Sequence, residues 1–182
     1  MKFQDVHDHG ALYDEIVLRD CYKLQSLFIP PDVIFDIGAN IGVYTHYAHK
    51  LFPDALVVAV EPHPANFAAL IEHAPKGNVV LLNKAIGNGQ ILRYKDVQFD
   101  QDHISAGEGY ASSGFGYQIP DVGDHPLEPI GTEAILLDKL CDEYVRPGQR
   151  YAIKMDCEGA ENLMFQHRPS AKVLQEADFV AM

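Results

Sequence analysis

A doubly wound α/β fold with a mostly parallel sheet is the architecture this sequence predicts, and three features predict it. The first is Val33-Ile34-Phe35-Asp36-Ile37-Gly38-Ala39-Asn40-Ile41-Gly42, an apolar run with a carboxylate near its end, then two glycines separated by three residues. A buried strand passing through a tight turn into a helix reads this way, and glycine lets backbone amides approach a ligand where a Cβ would block them. The second is Ala55-Leu56-Val57-Val58-Ala59-Val60, which ends at Glu61, 19 residues past Gly42. An acid at the tip of the next parallel strand is placed to accept hydrogen bonds from a ribose. The third is the order strand, helix, strand, helix, strand from Val33 to Asn83, the pattern of parallel βαβ units.

The elements follow from local chemistry. Leu12 to Phe28 is a mixed apolar and polar stretch closed by Pro30-Pro31, and it predicts a short helix or hairpin capping the core within residues 1–30. After Gly42, Val43, Tyr44, Tyr47, Ala48 and Leu51 fall on one helical face, and Pro53 ends that helix. Pro62 and Pro64 punctuate the chain before a second helix marked by Phe67, Leu70 and Ile71, and Asn78 to Asn83 is a third short strand. Lys84 to Gly89 reads as a turn and Gln90 to Asp96 as an added strand. Residues 97–131 lose all period and carry six glycines with Ser112, Ser113, Tyr110, Phe115 and Tyr117, the composition of a lid or insertion loop. Ala134 to Leu137 restores order, with Asp138 as N-cap of a helix through Tyr144. Tyr151 to Asp156 is the next strand, a helix follows from about Ala160, and Phe179 to Met182 begins a further one. The whole is expected to be one domain, 1–182, whose C-terminal strands are missing or incomplete, with the open sheet edge free to be covered in a homo-oligomer.

Composition narrows the partners. A net charge of -12 argues against nucleic acid or an anionic membrane surface. Three cysteines, Cys21, Cys141 and Cys157, are odd in number and share no metal-ligand spacing, which suits a reducing, cytoplasmic setting. The opening residues have no apolar core of a signal peptide, and no apolar run approaches the roughly 18 residues of a membrane span. His7 and His9 read as a solvated terminal pair.

The turn also discriminates between cofactors. A dinucleotide site wants G-x-G-x-x-G, and aligning the first glycine at Gly38 puts Asn40 and Val43 at the other two positions. Asp36 would be a poor neighbour for pyrophosphate and a good one for a cation. S-adenosyl-L-methionine carries an ammonium and a sulfonium, has no phosphate, and keeps a ribose for Glu61 to hold.

Phe35 to Gly42, Val60-Glu61-Pro62, Asn83-Lys84-Ala85-Ile86-Gly87, Leu137-Asp138-Lys139-Leu140 and Ile153 to Glu161 together resemble the successive motifs of the FkbM methyltransferases. That family is Rossmann-like and S-adenosylmethionine-dependent, and acts mostly on hydroxyl oxygens of natural products or sugars. The resemblance covers roughly residues 12 to 182. It implies that Asp36, Gly38, Ala39, Asn40 and Gly42 line the methionine end of the cofactor. It also implies that Glu61, with Pro62 beside it, binds the ribose, and that the backbone around Ala85 faces the adenine.

Lys154 and Asp156 share one face of their strand. A lysine in an apolar central strand is costly to bury unless paired. One reading makes the two an activating or substrate-orienting pair where the methyl group should sit, with Asp156 also touching the cofactor. The other makes them a structural ion pair, with Glu158 and Glu161 stabilising a helix N-terminus. A divalent ion on Asp138, Asp156 and Glu158 is conceivable, but nothing fixes such a geometry and no metal is expected. The expected function is methyl transfer to a small-molecule or saccharide acceptor. The alternatives are a non-catalytic cofactor-binding module and a nicotinamide-dependent oxidoreductase.

Overall fold

Sheet order explains where the functional residues gather. The protein, seen in a computed structural model, is described over residues 10–87, 132–157 and 161–182. The expected strand 90–96, the expected lid 97–131, and His7, His9 and Glu158 lie outside these residues. Strands β1 (Val33–Ile37), β2 (Leu56–Val60), β3 (Val79–Leu82), β6 (Tyr151–Met155) and β7 (Phe179–Ala181) form one sheet in the order β3-β2-β1-β6-β7. Every pairing in it is parallel. All residues of β1 and β6 are buried, while β3 and β7 at the edges are half-buried. Strands covered on both faces are mostly apolar, which is why β1 and β2 were legible as near-continuous runs.

Two layers of helix cover the sheet. On one face Phe35, Ile37, Ile153 and Met155 pack with Leu137, Leu140 and Cys141 of α4 (Leu137–Tyr144) and Met164 of α5 (Glu161–Gln166). Val173 and Leu174 of α6 (Arg168–Glu176) lie against this cluster. On the other face Ile34, Val57 and Ala152 meet Val43, Tyr44, Tyr47 and Ala48 of α2 (Val43–Leu51). Helix α3 (Pro64–His73) lays Leu70 on Ala39 and Ala59. Proline at its first position and His63 as N-cap, whose Nδ1 accepts from the Asn66 N–H, set where α3 begins.

The segment before β1 is helical. Helix α1 (Gly10–Tyr13) runs into a π-type turn, Asp14–Leu18, and a 3-10 turn follows at Leu24–Ser26. Ile16 and Leu24 are buried in the α2-side core, so this segment covers that face of the sheet.

Two local expectations change. Ala85–Ile86, expected in a turn, is a short strand β4 paired in parallel with β5 (Ala134–Ile135). The ladder is two residues long and its partner lies far along the chain, so no period announces it. Asp138 is not the N-cap of α4, because Leu136 occupies that position. Asp138 sits inside the first turn, buried, and accepts from the Ser170 hydroxyl (3.0 Å). Among the described residues no helix is long and apolar enough to cross a membrane.

Helix α2 carries a pH dependence. Burial, then the nearby charges of His49, Lys50 and His73, lower the His46 pKa from its ordinary 6.5. A histidine with a depressed folded pKa leaves the unfolded chain binding more protons just below that value. Stability should therefore be lost as pH falls from about 6.5 towards the folded pKa. Denaturant titrations between pH 5 and 8 should show a shallower acid-side loss for His46→Gln; an identical slope would assign it to other groups.

Candidate active site

Every strand-end residue singled out above belongs to the tips of β1, β2 and β6. The chain leaves β1 through Gly38 (φ 75°), Asn40 (φ 52°) and Gly42 (φ 95°), three left-handed residues in five. The Gly38 and Ala39 N–H groups both donate to the Val60 carbonyl (2.9 and 3.0 Å), folding the turn back over β2. A Cβ on Gly38 would lie 1.9 Å from the Asp156 carbonyl oxygen. Gly38 is thus required by the protein's own backbone at the β1–β6 junction, where a ligand was expected to set the limit.

Glu61 clasps two loops. One carboxylate oxygen accepts from the Asn40 N–H (2.8 Å) and the other from the His63 N–H (2.9 Å). It is 5% exposed, and burial raises its pKa against the lowering effect of those hydrogen bonds. Beneath it, the Asn83 amide donates to the carbonyls of Glu61 and Pro62 (2.9 and 3.0 Å), and the Thr132 hydroxyl to that of Pro62 (2.9 Å). Thr132 was missed in the sequence because it lies 70 positions from its partner. Ala85 is fully buried, and its N–H donates to the Glu133 carbonyl, inside the β4–β5 ladder.

The charged pair is Lys154 with Asp36. These residues are register partners on adjacent strands, and their side chains meet at 3.1 Å, 3% and 0% exposed. The other Asp36 oxygen accepts from the Thr45 hydroxyl (2.6 Å). Asp36 is therefore engaged by its own chain and does not present a free carboxylate to a cation. The Lys154 ammonium donates to the Gly38 carbonyl (2.7 Å) and lies 5.3 and 5.7 Å from the ring centres of Tyr22 and Tyr44. It bonds the glycine turn.

Asp156, one residue past β6, is exposed, and it accepts a 2.6 Å hydrogen bond from the Tyr22 hydroxyl. Its N–H continues the ladder to Ile37 O (3.0 Å). The expected pairing of Lys154 with Asp156 gives way to two separate pairs, Lys154–Asp36 inside and Tyr22–Asp156 outside. Nothing in the sequence pattern points to Tyr22. Asp138 lies on α4, across the sheet from Asp36 and Lys154, and is held by Ser170 with His167 3.4 Å away. Among the described residues no three His, Cys, Asp or Glu side chains gather to hold a metal.

Two substitutions test this geometry. Lys154→Met strands Asp36 in the core and should cost about 3–5 kcal/mol, with part regained when Asp36→Asn is added. Urea denaturation measures both; a loss below about 1 kcal/mol, the scale of an exposed pair, would contradict burial of the pair. Gly38→Ala should cost more than about 2 kcal/mol, combining a left-handed backbone with the Asp156 clash. A melting temperature equal to wild type would show that the junction relaxes freely.

The Methyltransferase FkbM domain family matches residues 36–179. Over 69 residues the chain is 44% identical to 31-O-demethyl-FK506 methyltransferase FkbM of Streptomyces tacrolimicus, covering 37% of this chain and 26% of that protein. Over 59 residues it is 36% identical to methyltransferase sdnD of Sordaria araneosa, covering 32% and 22%. These alignments span only about a quarter of either relative. The solved structure of the plantazolicin methyltransferase BpumL in complex with SAH overlaps 46% of this chain and 36% of its own, at a TM-score of 0.31 and 16% identity, too loose to carry weight. The family match takes in Glu61, Lys154, Asp156 and β2 through β6, and the chain belongs to the FkbM methyltransferase family.

Proposed function

We propose that this chain binds S-adenosylmethionine across the tips of β1 and β2 and methylates a hydroxyl oxygen of a small-molecule or saccharide acceptor. The FkbM-domain match over residues 36–179 carries this reading. The residues at the strand tips fit the cofactor in two places. Glu61 is oriented by two backbone amides and the Asn66 side chain, and its carboxylate keeps acceptor capacity for a ribose hydroxyl. Helix α2 starts at Gly42 with no side-chain cap, so its first N–H groups and dipole favour a carboxylate such as that of a methionine. Asp36 fits only as a support, through Lys154 and the Gly38 carbonyl.

When bound, S-adenosylmethionine supplies an electrophilic methyl on sulfonium; the acceptor oxygen forms the new C–O bond as the C–S pair returns to sulfur. The protein's own part is alignment, which can supply several kcal/mol. Asp156 stands where β1 and β6 part, the switch point of the sheet, and its exposure makes it the carboxylate within reach of an acceptor. In this reading it accepts the hydroxyl proton, a contribution of roughly 10²–10⁴-fold. Lys154 orders the turn. The amides of Gly38, Ala39 and Asn40 are all engaged internally, which disfavours a pyrophosphate cradle and with it a nicotinamide cofactor. The net charge of -12 favours an acceptor that is not a polyanion, and three cysteines, odd in number and without metal-ligand spacing, favour a cytoplasmic setting.

Calorimetry with S-adenosylmethionine, S-adenosylhomocysteine and NAD, beside transfer of labelled methyl to a panel of alcohols and sugars, tests the proposal. The two adenosyl ligands should bind and NAD should not. Tight NAD binding without S-adenosylhomocysteine binding would end it, and binding without transfer would favour a non-catalytic module. Glu61→Gln should weaken S-adenosylhomocysteine by about 1.5–3 kcal/mol, roughly ten- to a hundredfold in Kd.

A further inference from the structure

We propose that Tyr22 is a positioning residue: it fixes the Asp156 carboxylate for the acceptor hydroxyl, so that the segment before β1 supplies one wall of the acceptor site. The proposal rests on the reading of Asp156 as the carboxylate that meets the acceptor. Tyr22 lies 134 positions from Asp156 and donates to its Oδ2 at 2.6 Å. The short distance is that of a hydrogen bond strengthened by the acceptor's charge.

The chain spends unusual geometry on bringing Tyr22 there. Asp20 (φ 48°) and Lys23 (φ 54°) bracket it, two non-glycine residues in the left-handed region. The turn is stapled by the Asp20 carboxylate, which accepts from the Leu24 and Gln25 N–H groups (2.9 and 3.1 Å). Leu24 is fully buried, and the Gln25 amide donates to the Tyr47 hydroxyl of α2 (2.6 Å). The Tyr22 ring meets Tyr44 edge-on at 5.5 Å, with the Lys154 ammonium 5.3 Å from its centre. With ring and turn both held, the hydroxyl has one place to point.

This placement matters because Asp156 is exposed. A carboxylate beyond the end of a strand turns about its side-chain bonds unless something holds it, and misplacement of a reacting group by about 1 Å can cost 10²-fold in rate. Tyr22 takes one oxygen and leaves the other to an incoming hydroxyl. Burial, then the hydrogen bond to Asp156, push the Tyr22 pKa far above its usual 10.0, so the phenol remains a donor. A purely structural latch would have the same contact, so the test must separate position from adhesion.

Full-length wild type, Tyr22→Phe and Asp156→Asn are compared. S-adenosylhomocysteine affinity is measured by calorimetry, melting temperature by calorimetric scan, and labelled methyl transfer to the alcohol and sugar panel as kcat, KM and a pH profile. Tyr22→Phe should retain cofactor affinity within about twofold and lose kcat tenfold or more, about 1.4 kcal/mol, with a smaller change in KM and an altered pH profile. A lower melting temperature with unchanged kcat per folded molecule would make Tyr22 a latch only and overturn the proposal. Wild-type turnover in Tyr22→Phe beside a crippled Asp156→Asn would overturn it too, while leaving the proposed function intact. Bound S-adenosylhomocysteine with no transfer to any panel member would count against that function, and this proposal would fall with it. An independent reading comes from NMR of ring-labelled tyrosine. Asp156→Asn should move the Tyr22 ring resonances at neutral pH, and no change would show that the hydrogen bond does not form in solution.

Discussion

The arrangement of the strand tips depends on one buried cation. Lys154 sits in the central sheet with 3% of its side chain exposed, beside a carboxylate with none. Burying such a pair gains little by itself, because the desolvation of two ions offsets most of their attraction. Here the ammonium does more than neutralise Asp36. Its contact with the near oxygen is close but not aligned as a hydrogen bond, and its aligned bond goes to the Gly38 carbonyl at 2.7 Å. Two aromatic faces lie over it, which suits a desolvated cation. The pair therefore fixes the position of the glycine turn relative to β6, and the turn then fixes Asn40 against Glu61.

That chain of contacts ties together the side where the cofactor is proposed to bind before anything binds. The Gly38, Ala39 and Asn40 amides, the Thr45 hydroxyl and the His63 amide are all used to hold residues 36 to 63 together. A preformed site spares a ligand the cost of ordering loops. It also changes the role of residues that look like ligand contacts: Asp36 and Gly38 act through the backbone geometry they impose, and Glu61 is a buried acid that joins two loops.

Much of this was legible in the sequence, and the limits have physical reasons. Strands β1, β2 and β6 were readable because burial on both faces demands mostly apolar runs, each of β1 and β6 carrying one charge that the other neutralises, and Glu61 because an acid closing such a run marks a strand tip. Alternation along β6 correctly put Lys154 and Asp156 on one face but named the wrong partner. A period of two tells which face a side chain takes, not which strand lies beside it, and Asp36 becomes the neighbour only once β6 is known to pair with β1. Ala85–Ile86 was too short to carry a period. Asp138 has the chemistry of an N-cap but found Ser170 on α6 instead, a contact between helices that no local rule anticipates.

Tyr22 is the sharpest case, and it divides the site in two. The side where the cofactor is proposed to bind is assembled from contacts within residues 36 to 63, with Asn83 and Thr132 supporting Pro62 from beneath. The side where the acceptor is proposed to enter is made by a contact that spans 134 positions and joins the first helical turns to the end of β6. The first depends on the glycine turn and its clasp. The second depends on how Leu24 and Gln25 dock the preceding turn onto α2. Disturbing that docking moves the Tyr22 hydroxyl while the Glu61 clasp keeps its own bonds. In the proposed reading, acceptor alignment and cofactor affinity rest mainly on different parts of the chain, and Lys154, which touches both the Gly38 carbonyl and the Tyr22 ring, is one link between them.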